Sequence, residues 1–285
     1  MTDQILVSQT SGVCELRLNR PEKRNALTLA MYGALWDAIV RAEADESVRV
    51  ILLSGAGASF TAGNDLGDFM RGPPMGEEHS AARFVRLLPK IRKVLVAAVH
   101  GSTVGIGVTV LLHCDLVVAA RSARLSMPFV KLGLVPEAAS SLLLPRLIGH
   151  QRAAELLLLG TPLDSATAFN IGLVNRVVED DVLHEEARAL AQTVAEQPAG
   201  ALHATKQLLR SETGVTARIE EELQAFQERL GSAEFKSAAQ AFFNIIPAVI
   251  TPMMTTTTMS SRSVKPRCGA GRKNHAFLRG ARSRR

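Results

Sequence analysis

The chain has 285 residues, of which 47% are hydrophobic and only 4% are aromatic. That is enough for one large domain, or a domain with an appendage, around a sizeable core. The formal net charge is +6, but residues 251–285 hold nine Lys or Arg and no Asp or Glu. The rest of the chain holds 24 basic and 27 acidic residues, a net charge of about −3. The body of the protein therefore gives no general reason to expect nucleic-acid binding.

Neither a secretory signal nor a membrane span is predicted. The N-terminal segment lacks the basic region and the apolar run of a signal peptide, and no apolar window reaches the length of a membrane span. The three cysteines, Cys14, Cys114 and Cys268, share no spacing typical of a metal site or a redox pair. We expect a cytoplasmic protein in a reducing compartment, with no bound metal.

Strand and helix patterns alternate in the first part of the chain. The segments Ile5–Gln9 and Val13–Leu18 have the pattern of two strands joined by a short hairpin turn. After a basic polar loop, Thr28 is placed to cap a helix that continues to Ala44. Val50–Ser54 is predicted as the next strand.

Two loops of small residues each follow a buried strand and enter a helix. The first is Gly55–Gly63, which closes on Asn64 and Asp65, and the second is His100–Gly107 after the strand Lys93–Val99. Glycine lets a ligand approach the backbone closely, and a helix start leaves N–H groups unpaired. Such loops suit a negative or developing oxyanion. Neither is a usual phosphate loop, because GxGxxG and Gly-Lys-Ser/Thr are absent.

The strand, glycine loop and helix recur about 45 residues apart, an imperfect repeat that predicts ββα units stacked in a spiral. An α/β fold is therefore expected. Further predicted strands are Val117–Ala120, Ala123–Ser126 and Val174–Val178. Further predicted helices are Ala81–Ile91, Val108–His113, Leu142–Ile148, Gln151–Leu159, Ala166–Asn170, Leu183–Glu196, Gly200–Arg210, Val215–Leu230 and Ala233–Phe243.

The chain changes character near its end. The pattern is wholly helical from Leu183 onward, and beyond Asn244 a threonine run and scattered arginines replace it. We predict a core over residues 1–195, a helical subdomain over 196–250 and a disordered basic tail over 251–285. The tail is expected to be dispensable.

Four motifs follow one another along the chain. They are NRPEKRNAL (Asn19–Leu27), SGAGASFTAGNDL (Ser54–Leu66), AVHGSTVGIGVTVLLHCDLVVAA (Ala98–Ala120) and FVKLGLVPEAASSLLLPRLIG (Phe129–Gly149). With these motifs the chain resembles the crotonase superfamily, the enoyl-CoA hydratases and isomerases, over roughly residues 5–243. The resemblance implies a crotonase-type spiral of ββα repeats with a helical C-terminal subdomain. It also implies a homotrimer or hexamer that assembles through that subdomain.

The resemblance further implies an acyl-CoA thioester substrate, with coenzyme A as part of the substrate and no separate cofactor. In this family two backbone N–H groups bind the thioester oxygen, and by motif match they belong to Ala62 and Ile106. Ile106 stands where the family usually has the middle of three glycines, so its side chain must point away from the thioester. The implied CoA-binding residues are Arg24, Ala26, Leu27, Ala62, Gly63, Asn64, Asp65, Leu66 and Gly105.

The chain departs from the hydratases at two positions. Those enzymes add water with two glutamates, and the matching residues here are Thr109 and Phe129, which cannot move a proton as a carboxylate does. Glu137, in the segment LGLVPEAASS, instead looks like the single glutamate base of the peroxisomal-type Δ3,Δ2-enoyl-CoA isomerases. The leading prediction is therefore an enoyl-CoA isomerase of fatty acid metabolism and β-oxidation, which moves the double bond of a 3-enoyl-CoA to the 2-position.

Two other functions stay open at this stage: a 2-enoyl-CoA hydratase, and a non-catalytic acyl-CoA-binding protein of the same fold. Glu137 also has a simpler interpretation as a surface carboxylate at a helix start. Its apolar flanks argue for burial instead: Leu132, Leu134, Val135, Ala138 and Ala139.

Two other groups of polar residues have structural interpretations. Asp65 is interpreted as a helix-start residue that interacts with the helix dipole. His113, Cys114 and Asp115 resemble metal ligands, but adjacent side chains point in different directions, so a structural role is preferred.

Overall fold

The computed structural model describes residues 3–71, 76, 78–210 and 214–241. These residues belong to one compact unit, Met1–Phe242. The tail predicted over 251–285 lies outside the described residues. The predicted division at residue 195 into a core and a helical oligomerisation subdomain stays a prediction.

The strands of the described chain form two sheets. They are β1 (Ile5–Thr10), β2 (Val13–Leu18), β3 (Val50–Gly55), β4 (Val94–Val99), β5 (Ser102–Val104), β6 (Leu116–Ala120), β7 (Arg124–Ser126), β8 (Leu163–Asp164) and β9 (Arg176–Val178). The larger sheet has the order β1-β2-β3-β4-β6-β9, and the smaller has the order β5-β7-β8. In the larger sheet only β1 and β2 are antiparallel, and every other neighbouring pair is parallel.

Helices cover the larger sheet and follow its strands. They are α1 (Leu29–Ala44), α2 (Leu66–Arg71), α3 (Ser80–Leu87), α4 (Ile106–Thr109), α5 (Ser140–Ile148), α6 (His150–Ala154), α7 (Ser165–Asn170), α8 (Leu183–Ala195), α9 (Ala199–Leu209) and α10 (Val215–Leu230). A further helical stretch covers 233–241. Within the described part of the chain, no helix has the length and apolar character needed to cross a membrane.

Both faces of the larger sheet are buried at its central strands β3 and β4, as their continuous apolar sequences predict for a parallel sheet, whereas the edge strand β1 is exposed beyond Ile5. In β4 alternate residues point to opposite faces: Val94, Val96 and Ala98 belong to the apolar cluster that includes α8, and Leu95, Ala97 and Val99 belong to the main core with α1 and α3. The sheet is therefore a rigid layer between two sets of helices.

The sheet topology brings the two glycine loops together. Strands β3 and β4 are parallel neighbours, with Val50 opposite Val94 and Leu53 opposite Ala97. Each glycine loop begins at the carboxyl end of one of these strands, so both loops leave the sheet at the same edge. The spiral predicted from the repeat thus places both loops at one site.

Three predicted helices differ from the observed ones in their α-helical length. Of the helix predicted over Gln151–Leu159, the α-helical part is His150–Ala154, and Glu155–Leu159 is π-helical. The helix predicted to reach Ile91 ends at Leu87 and continues as a 3-10 turn, Leu88–Lys90, because Pro89 has no N–H to donate to the Val85 carbonyl four residues earlier. In the helix predicted to reach His113, only Ile106–Thr109 is α-helical, and Val110–His113 is a 3-10 turn.

Asn25 joins the loops that surround the first glycine loop. Its fully buried side chain donates to the carbonyls of Ala56, at 2.8 Å, and Ser59, at 2.7 Å, and accepts from Arg20 N–H at 2.8 Å. Its φ of +55° lies in the left-handed region that asparagine tolerates better than most residues. One side chain thus fixes the backbone of two segments that are distant in sequence.

Asn25→Ala is expected to lower the free energy of unfolding by about 3 kcal/mol, because two buried carbonyls and one N–H lose their partners. Urea unfolding followed by circular dichroism measures the change. Asn170→Ala, at an exposed position, is the matched control and should change stability by less than about 0.5 kcal/mol. Equal stability of the two variants would contradict this role of Asn25.

Candidate functional site

The two segments predicted to bind CoA lie side by side. Ala62 N–H donates to the Arg24 carbonyl at 2.8 Å, Leu27 N–H to the Gly63 carbonyl at 2.8 Å, and Asp65 N–H to the Leu27 carbonyl at 2.9 Å. This short parallel pairing joins the loop after β2 to the loop after β3. The spacing of these two motifs along the sequence did not indicate that their backbones pair.

The second glycine loop is bonded to the first. Thr61 N–H donates to the Ser102 carbonyl at 3.1 Å, and Val104 N–H donates to the Thr61 carbonyl at 3.0 Å. Gly63 has a φ of +89°, and a Cβ there would lie 3.0 Å from the Val104 carbonyl oxygen. Glycine is therefore strongly favoured at this position, because both the backbone conformation and the close approach disfavour a side chain.

The prediction that Ala62 supplies an oxyanion donor is wrong, because its N–H already donates to the Arg24 carbonyl. The N–H of Asn64, two residues later, forms no hydrogen bond within the described residues. The same holds for the N–H of Ile106, which is the first residue of α4 and so has no intrahelical partner. Asn64 and Ile106 thus leave one free donor on each of the two bonded loops.

The Ile106 side chain points into the protein interior. It is 2% exposed and lines a small apolar cavity with Leu27, Phe60, Phe84 and Val110. A residue larger than glycine is tolerated in this loop because its side chain packs into the core while its N–H remains free.

Glu137 is buried in the segment between β7 and α5, with 5% of its surface exposed. Thr109, on α4, donates its hydroxyl to Glu137 Oε1 at 2.5 Å. Burial raises the pKa of the Glu137 carboxyl to about 8, the Thr109 hydrogen bond lowers it, and the nearby Glu222 charge raises it. A carboxyl with this pKa is a strong base when ionised and an acid when protonated.

Tyr32, on α1, belongs to the site although sequence reasoning missed it. Its hydroxyl donates to Asn64 Oδ1. Burial, and then the charge of Glu137, raises the pKa of the Tyr32 phenol above its ordinary value, so the hydroxyl stays protonated. It is the only tyrosine in the chain. Its position on the apolar face of a helix could have indicated a buried hydroxyl that needs a hydrogen-bond partner.

Thr109 and Phe129 occupy the positions where the resemblance would put the glutamates of a hydratase. Thr109 is fully buried and bonded to Glu137. Phe129 is 5% exposed, and its ring lies 4.0 Å from the point where a Cβ of Gly105 would be. The ring therefore gives the second glycine loop an apolar neighbour.

The other residues predicted to bind CoA surround these loops. Arg24 is exposed, Ala26 is half-buried and Leu27 is buried. Asp65 caps α2 by accepting from Asp68 N–H at 3.0 Å, which agrees with its helix-start interpretation.

Basic side chains near these loops have different roles. Arg20 is engaged, because it binds Asp65 Oδ2 at 2.8 Å and the Ala26 carbonyl at 2.9 Å. The neighbouring Lys23 and Arg24 are exposed, where basic side chains can reach phosphate groups.

His113 and its neighbours diverge, as the structural interpretation predicted. His113 Nε2 lies 2.7 Å from the Ala138 carbonyl, whereas Asp115 Oδ2 accepts from Leu95 N–H at 2.7 Å and from Lys206 at 2.7 Å. Burial lowers the pKa of His113 to about 4, so its ring is neutral. Within the described residues, no group of three or more His, Cys, Asp or Glu is arranged to hold a metal ion.

The spiral core and its two bonded glycine loops are those of a crotonase-type acyl-CoA enzyme. The family model described as enoyl-CoA hydratase/isomerase matches residues 8–247. The chain belongs to the enoyl-CoA hydratase/isomerase family, and the expected crotonase-type fold is confirmed.

Individual relatives give a range of activities. The chain is 38% identical over 251 residues to 1,2-epoxyphenylacetyl-CoA isomerase of Escherichia coli K12, covering 85% of this chain and 96% of that one. It is 34% identical to enoyl-CoA delta isomerase 2 of Rattus norvegicus, covering 84% of this chain and 63% of that one. A crystal structure of an enoyl-CoA hydratase/isomerase from Pseudoalteromonas atlantica T6c has a TM-score of 0.82 and 43% identity, covering 85% of this chain and 97% of that one.

Burial of Glu137 predicts a loss of stability as the pH rises. Its carboxyl titrates near its ordinary value of 4.5 when unfolded and at about 8 when folded, so between these pH values only the folded state keeps the proton. The free energy of unfolding should fall across this window by up to about 1.4 kcal/mol per pH unit. Urea unfolding of wild type and Glu137→Gln at pH 5, 6.5 and 8 measures it. The free energy of unfolding of Glu137→Gln should rise relative to that of wild type at each increase in pH. A difference between the two proteins that does not change with pH would contradict the raised pKa of Glu137.

Proposed function

We propose that the protein converts 3-enoyl-CoA to 2-enoyl-CoA, with Glu137 as the single base. The thioester oxygen would accept hydrogen bonds from the N–H groups of Asn64 and Ile106. The observation that carries the proposal is one buried carboxyl with a raised pKa, combined with the absence of a carboxylate at Thr109 and Phe129. Water is not a reactant in this isomerisation, so a second carboxylate is not required.

In the proposed reaction, the ionised Glu137 carboxylate removes a proton from C2 of the acyl chain. The electron pair of that C–H bond moves toward the carbonyl, and the resulting dienolate carries its charge on the thioester oxygen. Two preorganised N–H donors stabilise this charge most strongly in an apolar site. Protonated Glu137 then gives the proton to C4, which leaves the double bond between C2 and C3.

Relatives with isomerase names support the proposal, namely the rat delta isomerase and the bacterial epoxyphenylacetyl-CoA isomerase. The match spans 63% of the rat protein, so its activity enters here only as part of the proposal. The name of the bacterial relative makes 1,2-epoxyphenylacetyl-CoA the first alternative isomerase substrate to test.

The acyl-CoA ester would lie along the paired segments Arg24–Leu27 and Ala62–Leu66, with Gly105 beside the reacting carbons. Exposed Lys23 and Arg24 suit the phosphates of coenzyme A, which is part of the substrate, and the proposal needs no separate cofactor.

A homotrimer or hexamer is also proposed. Leu208 and Leu209 at the end of α9 are 88% and 80% exposed, which supports an apolar contact between subunits.

Glu137→Gln should lose isomerase turnover by at least about 100-fold, the contribution typical of a general base, while CoA esters still bind. Turnover of a 3-enoyl-CoA and calorimetric binding of an acyl-CoA measure the two effects. Glu186→Gln, at an exposed position, is the matched control and should keep wild-type turnover. Near-wild-type turnover of Glu137→Gln would overturn the assignment, and fast hydration of 2-enoyl-CoA by wild type would favour the hydratase.

The pH dependence of kcat/KM should follow ionisation of Glu137. Because the base must be ionised, kcat/KM should fall below about pH 8 and approach a tenfold decrease per pH unit. Initial rates from pH 5.5 to 9.5, with enzyme stability checked at each pH, measure this limb. A flat profile down to pH 6 would show that a group with a raised pKa is not the base.

A further inference from the structure

The segment after Glu137 is strained. Ala138 and Ala139 have φ values of +58° and +55°, and both are fully buried. Left-handed backbone at a residue with a Cβ costs about 1–3 kcal/mol and persists only where the surroundings enforce it. Contacts from elsewhere in the protein must therefore hold this turn.

Glu222, on α10, supplies such contacts from a distant part of the chain. Its Oε2 accepts from Ala139 N–H at 2.6 Å, and its Oε1 accepts from Ser141 N–H at 2.9 Å and from the Ser141 hydroxyl at 2.5 Å. All three partners donate, which suits an ionised carboxylate because both of its oxygens are acceptors. Glu222 is itself only 6% exposed, so these bonds are shielded from water.

His113 supplies a further contact to the turn. Its Nε2 lies 2.7 Å from the Ala138 carbonyl, and because a carbonyl oxygen can only accept, this nitrogen carries the proton and donates. Donors and acceptors from two separate elements thus bind consecutive peptide groups of the turn. They fix the position from which the Glu137 side chain leaves the backbone.

We propose that Glu222 is a positioning residue for the Glu137 base: its carboxylate holds the turn over residues 138–141 and so aims Glu137 at the substrate. The proposal rests on the proposed isomerase function for its kinetic part. A displacement of about 1 Å at a reacting group can reduce the rate about 100-fold, so the geometry of this turn has a direct kinetic consequence.

The charge of Glu222 gives the proposal a second, electrostatic consequence. Burial raises the pKa of the Glu222 carboxyl, while the hydrogen bonds from Ser141 and Ala139, and then the charge of Arg218, act to lower it. Glu137 faces Thr109, Tyr32 and Glu222, and the negative charge of Glu222 raises the pKa of its carboxyl. Removing that charge should therefore lower the pKa of Glu137, which a purely mechanical support would not do.

Glu222→Gln tests both consequences, because it removes the charge and cannot accept from Ala139 and Ser141 with both of its terminal atoms. We expect kcat at pH 9 to fall about 10- to 100-fold, KM to change less than about threefold, and the acid limb of kcat/KM to move to lower pH. Glu228→Gln, at an exposed position on the same helix, should match wild type in all three. A folded Glu222→Gln enzyme with wild-type kcat and an unmoved acid limb would overturn the proposal.

A measurement without substrate separates this proposal from the proposed function. Infrared difference spectra against Glu137→Gln isolate the Glu137 carboxyl band, and its titration should move to lower pH in Glu222→Gln. If wild type does not turn over 3-enoyl-CoA but this shift occurs, the isomerase proposal fails while the effect of Glu222 on Glu137 holds. An unshifted band would overturn the proposal even in an active enzyme.

If Glu222→Gln does not fold, Ala139→Gly is added, because glycine adopts a positive φ without strain. The double variant is then compared with Ala139→Gly alone. The Glu137 titration should again move to lower pH when the Glu222 charge is removed, and identical titration curves would overturn the proposal.

Discussion

A buried carboxyl that has no ion-pair partner among the described residues is the constraint on which the rest of the site depends. Burial of Glu137 makes its charged form costly, and the Thr109 hydroxyl is its one observed hydrogen-bond donor. Its neighbours Thr109 and the protonated Tyr32 are neutral, and the charge of Glu222 makes ionisation of Glu137 costlier still. A second carboxylate at the position of Thr109 would replace a donor with a like charge. The same environment that destabilises the ionised base would also strengthen the hydrogen bonds of Asn64 and Ile106 to a developing oxyanion.

Local sequence signals predicted much of the fold and the types of residue at the site. Continuous apolar strands, a threonine cap at Thr28 and two glycine loops are local signals, and the structure has them where the sequence indicates. The exact oxyanion donor was not predictable in the same way. Whether the N–H of Ala62 or Asn64 is free depends on which of them the Arg24–Leu27 segment uses, and that pairing exists only in the folded chain. Tyr32 and Glu222 were missed for the same reason, since their partners are distant in sequence.

Two pairs of consecutive left-handed residues that are not glycine lie at the site, and the protein holds them in different ways. Arg24 and Asn25 have φ values of +50° and +55°, and the Asn25 side chain itself binds Arg20 N–H and the Ala56 and Ser59 carbonyls. Ala138 and Ala139 have no polar side chain, so their turn depends on groups from α10 and from the turn that contains His113. Backbone strain beside the candidate base is thus offset by side chains that lie outside the strained pair, whereas in the loop predicted to bind CoA one of the strained residues supplies the hydrogen bonds itself.

The position of Glu222 in the chain has a consequence for biosynthesis. It follows Ala139 by 83 residues, and at about 5–20 residues per second the ribosome needs roughly 4–17 s to add them. During that interval the turn after Glu137 has emerged or is emerging without the carboxylate that binds it. The strands and glycine loops all precede Glu222 in the chain, whereas the base segment lacks its Glu222 contacts until that residue is added. The candidate site would therefore be completed only when α10 docks, close to the end of translation.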